Sequence, residues 1–155
     1  MVVREIELRS RIPYAEVKPY EHHTKYYETD QRGVIHHTNY IKWMEAARMN
    51  LMEQMGFSYK QMEEMEIICP VVSVGIDYVS AVRFNEVVII EPKLIQYDGS
   101  RMELAYDMYD RETGEKRAIG HSSHCFLTKA GIPISLGRIY PELDTRFFEF
   151  RDSEE

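Results

Sequence analysis

The chain has 155 residues, 44% of them hydrophobic and 29% charged, which suits one globular domain able to bury a core of its own. A formal net charge of −7 excludes broad nucleic-acid binding, which needs lysine and arginine to neutralise phosphates, but leaves room for a small anionic ligand on a local basic cluster. No apolar run approaches the roughly 20 residues of a membrane span and MVVREIELRSRIPYAEV lacks a signal-peptide core, so a cytoplasmic protein with no membrane partner is expected.

In chain order, the lead up to about Pro19 carries no clear element, and Glu21 to Glu28 (EHHTKYYE) reads as a first strand. Thr29-Asp30-Gln31-Arg32-Gly33 breaks it, Gly33 being free to take backbone angles closed to other residues. A helix follows from about Asn39 to Met55. Its residues Tyr40, Trp43, Met44, Ala47, Leu51 and Met55 recur at three- and four-residue spacings and share one face, which we assign to the core. Thr38 or Asn39 can cap its start and Gly56 ends it. Ser58 to Met65 reads as a short second helix. Pro70 to Val79 and Glu86 to Gln96 are rich in β-branched residues, although Pro92 suits an edge or a bulge better than a central strand. Asp98-Gly99 marks a tight turn, Met102, Leu104, Tyr106 and Met108 alternate along the next strand, and Glu112-Thr113-Gly114 marks another turn. Arg117 to Lys129 completes the set as one long strand.

Strand, long helix, then strands joined mostly by hairpins is an α+β order: an antiparallel sheet wrapped around one central helix. Cys69 and Cys125 make neither a zinc framework nor a needed disulfide, and read as small buried apolar residues. The histidines share no face: His22 and His23 are adjacent in a strand, and His121 and His124 are three apart in one. No metal site and no cofactor are expected.

The stretch from Tyr26 to Arg48 carries the chemistry. It sets a carboxylate, Asp30, in a loop just ahead of a helix N-terminus, whose free amides attract developing negative charge. A carboxylate beside an oxyanion site is what acyl transfer to water requires. By spacing alone, an aspartate before a glycine turn is more often only a turn residue.

The pattern Tyr26, Glu28, Thr29, Asp30, Gly33, Val34, His36, His37, Asn39 and Tyr40, with Trp43, Glu45 and Arg48 on the helix, resembles the signature of the 4-hydroxybenzoyl-CoA thioesterase family, the YbgC-like acyl-CoA thioesterases of the hot-dog superfamily. The resemblance runs from about Lys18 to about Leu136. It implies a single hot-dog domain over 18–150, a five-stranded sheet around the helix, an N-terminal extension over 1–17 and a tail over 151–155.

The resemblance further implies hydrolysis of an acyl-CoA or acyl-carrier thioester. Asp30 would be the nucleophile or the general base, and the amide of His37 would polarise the carbonyl oxygen. Thr29, Gly33, Val34, Asn39 and Glu45 would support the loop and the oxyanion site, with His36 structural. Glu45 and Arg48, three apart on the helix, can pair with each other. Among the basic residues Arg83, Lys93, Arg101, Lys129 and Arg138, the coenzyme A contacts expected are Arg83 and, in the hairpin Tyr97–Arg101, Ser100 and Arg101. Acidic Asp98 departs from the family's richer basic cluster there, so these contacts are expected to be weak or to come from another subunit. Tyr59, Met62 and Met65 are candidates for the acyl end. Hot-dog domains pair edge to edge, so a homodimer or homotetramer is expected. Two rival readings remain at this stage: a hot-dog dehydratase or hydratase, and an acyl-CoA-binding module without chemistry.

Overall fold

The computed structural model describes residues 8–151. Parts of the expected N-terminal extension (1–7) and tail (152–155) therefore lie outside the described residues. The elements in chain order are β1 (Tyr20–His23), α1 (Asn39–Met55), α2 (Tyr59–Glu64), β2 (Ile67–Ile68), β3 (Val71–Tyr78), β4 (Val87–Tyr97), β5 (Arg101–Asp110), β6 (Lys116–Cys125), β7 (Leu127–Thr128), α3 (Leu136–Ile139) and α4 (Pro141–Phe150). Five strands form one antiparallel sheet in the order β1-β4-β5-β6-β3, and β2 and β7 make a separate two-stranded ladder. With α1 packed on the sheet, this is the expected hot-dog arrangement.

The helix face read from the sequence is the buried one: Tyr40, Trp43, Met44, Ala47, Leu51 and Met55 are each at most 4% exposed. The alternation along β5 lays Met102, Leu104, Tyr106 and Met108 beneath it, all buried. Gly56 closes α1 in a left-handed conformation, and the Ser58 hydroxyl caps α2 by accepting from the Gln61 amide. Pro92 sits in the middle of β4 at no cost to the ladder, because β1 pairs only as far as Ile90 and leaves that side of β4 free.

Three expectations are corrected. The first strand stops at His23; Tyr26–Glu28 is a turn of 3₁₀ helix, because the Glu28 carboxylate reaches back to the Lys25 amide and curls the chain. The last strand is broken at Phe126, which turns into the core and separates β6 from β7. The segment after Pro133, for which the sequence pattern offers no assignment, adds two helices, α3 and α4. Pro141 starts α4, and Leu143, Phe147 and Phe150 form its buried face. Phe147 stacks on Tyr97 at 4.9 Å and tilts against Phe57 at 5.3 Å, so α4 extends the core past one end of the sheet. The cysteines are half-buried rather than buried, with the Cys69 thiol pushed up to about 12 by desolvation.

Candidate active site

The loop between β1 and α1 is built around Glu28, which is only 6% exposed. Its carboxylate accepts from His22 Nε2 at 3.0 Å, Trp43 Nε1 at 2.9 Å and the Lys25 amide at 2.7 Å, tying β1, the loop and α1 together. Burial alone would raise its pKa; the hydrogen bonds from His22, Trp43 and Lys25 outweigh that and hold it below the usual carboxylate range. The Glu28 carbonyl accepts from the His36 amide at 2.8 Å and from Asn39 Nδ2 at 3.0 Å, which closes the loop onto the helix start. Asn39 is therefore a clasp rather than a helix cap, and the Thr38 hydroxyl bonds His36 Nδ1 at 2.9 Å instead of capping α1.

Within the closed loop, Asp30 accepts from Arg32 Nη2 at 2.9 Å and Nε at 3.2 Å, and from the Arg32 amide at 2.8 Å. These bonds, the guanidinium first, lower the Asp30 pKa and keep the carboxylate ionised. Gly33, at φ 80°, donates to the Asp30 carbonyl at 3.0 Å, and the Asp30 amide donates to the Val34 carbonyl at 2.8 Å. Thr29 pairs with Ile35 across the loop, and Val34 pairs with Arg83. Thr29, Asp30, Gly33, Val34, His37 and Asn39 thus belong to one tight structure.

Beside it runs an open groove of about 470 Å³ lined by Arg32, Val34, His37, Tyr40, Tyr78, Ser80 and Arg83, among others. The Tyr78 hydroxyl donates to the His37 carbonyl at 2.8 Å and fixes that peptide. The His37 amide has no acceptor among the described residues, so the first turn ahead of α1 presents a free donor. The groove wall is held from behind by buried Arg117, which bonds the Ala81 carbonyl at 2.9 Å and ion-pairs with Glu86, Asp110 and Glu115. Arg32 and Arg83 set two exposed guanidinium groups at the groove edge, in a chain that is acidic overall.

Other sequence candidates fall elsewhere. Glu45 is exposed on α1 and makes no ion pair with Arg48; α1 turns Glu45 toward solvent and Arg48 toward the sheet. There Arg48 Nη1 lies 3.4 Å from His124 Nε2. Ser100 and Arg101 stand on the β4–β5 hairpin, at the opposite end of the sheet from the Asp30 loop, which abuts the start of β4 and the end of β3. One chain therefore does not bring them to Asp30. Lys93 borders a different cavity, near Tyr14 and Phe150. Tyr59 and Met62 share a cavity with Arg48, whereas Met65 faces Ile134 and Tyr140 in another. Sequence reading missed Arg32, Tyr78 and the role of Glu28. Only the nearness of Arg32 to Asp30 was visible in the sequence, since the partners of Tyr78 and Glu28 lie far along the chain or depend on its fold.

The model of the thioesterase-like superfamily matches residues 24–137. The chain is 32% identical over 124 residues to "Putative acyl-CoA thioesterase YneP" of Bacillus subtilis (strain 168), covering 79% of this chain and 89% of that protein. Among solved structures it is similar to the DHNA-CoA thioesterase from Staphylococcus aureus, with a TM-score of 0.81 and 30% identity over 85% of this chain and 89% of the other. A 1,4-dihydroxy-2-naphthoyl-CoA thioesterase from Synechocystis shares the fold, with a TM-score of 0.76 at 15% identity over 84% and 95% of the two chains.

Proposed function

The chain belongs to the thioesterase-like superfamily and is a thioester hydrolase, and we propose that Asp30 and the His37 amide carry out its hydrolysis of an acyl-CoA thioester. The observation that carries this reading is the pairing, in one short closed loop, of an ionised carboxylate with an unpartnered amide at the start of a 17-residue helix. The thioester carbonyl lies with its oxygen on the His37 amide. Asp30 either attacks the carbonyl carbon, expelling coenzyme A thiolate and leaving a mixed anhydride that water opens, or deprotonates the water that attacks. Both routes consume one water and give the free acid and the thiol. A well-placed oxyanion donor contributes about 3–4 kcal/mol to such a barrier. Coenzyme A thiolate is a moderate leaving group, so no strong general acid is needed. The two exposed arginines, Arg32 and Arg83, suit the phosphates of coenzyme A.

A second copy of the chain completes the site. β3 is an eight-residue edge strand paired only to β6, and Val71, Val72, Val74 and Tyr78 on it are 41–53% exposed. An apolar open edge of that length favours pairing with a copy of itself about a two-fold axis. Antiparallel β3–β3 pairing places the Tyr78 end of one chain, with its Asp30 loop, beside the Val71 end of the other. The partner's Arg101 then approaches this chain's site, which its own Arg101 cannot reach.

The test is thiol release from a panel of acyl-CoA esters by wild type and by Asp30→Asn. A fall of at least about a hundredfold in kcat with the fold intact is expected. Turnover that survives the substitution overturns the role of Asp30.

A further inference from the structure

We propose that Arg48 selects the acyl group, and that the group it selects carries an acceptor oxygen, anionic or hydroxylic, at the end remote from the thioester. The proposal rests on the thioester hydrolysis proposed above and names the substrate class of that site.

Arg48 borders a cavity of about 570 Å³ with Met49, Met52, Tyr59, Met62 and Cys69, a size that takes an acyl group and walls that are mostly apolar. It is half-buried, yet no carboxylate lies within ion-pair distance of it among the described residues. Its neighbours on the sheet side are neutral: His124 Nε2 at 3.4 Å, and behind it a buried chain in which Ser122 Oγ meets His124 Nε2 at 2.8 Å and the Tyr106 hydroxyl meets Ser122 Oγ at 2.8 Å. His124 is uncharged at neutral pH, since burial first and then Arg48 push its pKa down to about 4, so it places neither an anion nor a like charge beside Arg48. Three acidic residues, Glu63, Glu64 and Glu66, stand on the exposed rim together with Lys60 and Lys129, and none of the three is within ion-pair distance of Arg48.

A half-buried guanidinium whose protein neighbours are neutral keeps donors free for a ligand in the cavity and a charge that no carboxylate of the described residues answers. Soft methionine and tyrosine walls accept an acyl body of many shapes, and Arg48 is the half-buried charge among them, where the lysines and glutamates of the rim are exposed. Along α1, Arg48 is about 14 Å from the helix start at 1.5 Å per residue. That is far for an acyl group held on the same chain's loop. In the β3–β3 pairing proposed above the second helix runs in the opposite direction, which would bring the partner's Arg48 end of α1 toward this chain's His37.

The test uses matched pairs of substrates: 4-hydroxybenzoyl-CoA against benzoyl-CoA, and adipoyl-CoA against hexanoyl-CoA. Wild type, Arg48→Met and Arg48→Lys are compared by the ratio of kcat/KM within each pair, with circular dichroism as the check on folding. Wild type is expected to favour the oxygen-bearing member of at least one pair by about tenfold or more, the effect of one hydrogen bond to a charged group. Arg48→Met is expected to bring that ratio to within about threefold of unity, and Arg48→Lys to restore part of it for adipoyl-CoA. Preference in the first pair alone identifies a hydroxylated ring, and preference in the second a terminal carboxylate. No preference in wild type, or a preference that survives Arg48→Met, overturns the proposal. Calorimetric binding of the same four esters to Asp30→Asn, with and without Arg48→Met, reads the selection without turnover. A chain that binds selectively but hydrolyses none of them keeps the Arg48 assignment and loses the catalytic one.

Discussion

Asp30 and Glu28 are two residues apart, and the fold gives them opposite uses. Asp30 keeps its charge through Arg32, a side chain 80% exposed that is free to leave, whereas Glu28 is locked among His22, Trp43 and the Lys25 amide. If the ionised Asp30 is the reacting form, kcat/KM falls as the pH drops through its pKa, and Arg32 holds that fall at lower pH. Removing the guanidinium in Arg32→Ala is expected to move the acid limb of the pH–rate profile upward. An unmoved limb would separate Arg32 from the charge on Asp30. Glu28 affects stability instead. Its lowered folded-state pKa means that its contribution is present above the unfolded value of about 4.3 and disappears as the pH falls through the folded value. Glu28→Gln is expected to cost about 3 kcal/mol near neutral pH, and the gap from wild type should narrow below about pH 4 in thermal melts followed as a function of pH.

Among the elements, α1 has to end where the chain turns back toward the N-terminal lead and α4. Gly56 makes that possible with φ 104° and no side chain. A Cβ there would lie 2.5 Å from the Arg9 carbonyl oxygen and 2.3 Å from Arg146 Nη1. Arg146 can swing aside but the Arg9 backbone is fixed, since its amide donates to the Gly56 carbonyl at 3.0 Å. Gly56→Ala is therefore expected to destabilise by about 1–2 kcal/mol from the left-handed backbone alone, with the contact adding to it. A melting temperature equal to wild type would show that the lead and α4 yield more easily than their hydrogen bonds suggest.

At the scale of the whole molecule, one edge of the sheet is short and the other long. β1 offers four residues, and β3 offers eight with an apolar, exposed surface and a single acidic residue, Asp77. That asymmetry is why β3, rather than β1, is the edge proposed above for self-association. Val74→Lys places like charges near one another across the two-fold axis, and sedimentation is expected to show a shift from the paired species toward the single chain. Thiol-release activity should fall with it, because the partner's side of the site is lost. A wild-type protein that sediments as a single chain and remains active would overturn the paired site.

The sequence by itself determined the α+β class, the face and both ends of α1, the hairpin turns and the loop that carries Asp30. All of these are written in local periodicity, in glycines at turns, or in one contiguous motif. Tertiary structure alone decided which partners the side chains took. Arg48 and Glu45 have the spacing of an ion pair, but burial turns one to the sheet and leaves the other in water. Ser100 and Arg101 stand in the hairpin to which the resemblance points for coenzyme A contacts, and they lie a full strand length from Asp30 in space. The buried face of α4, spaced as Leu143, Phe147 and Phe150, was legible in principle. Its ten residues depend on Tyr97 and Phe57, which are distant in sequence, to make that pattern a helix. Local patterns fix conformation because their energies act over a few residues. Charge compensation and packing act between segments that only the completed fold brings together.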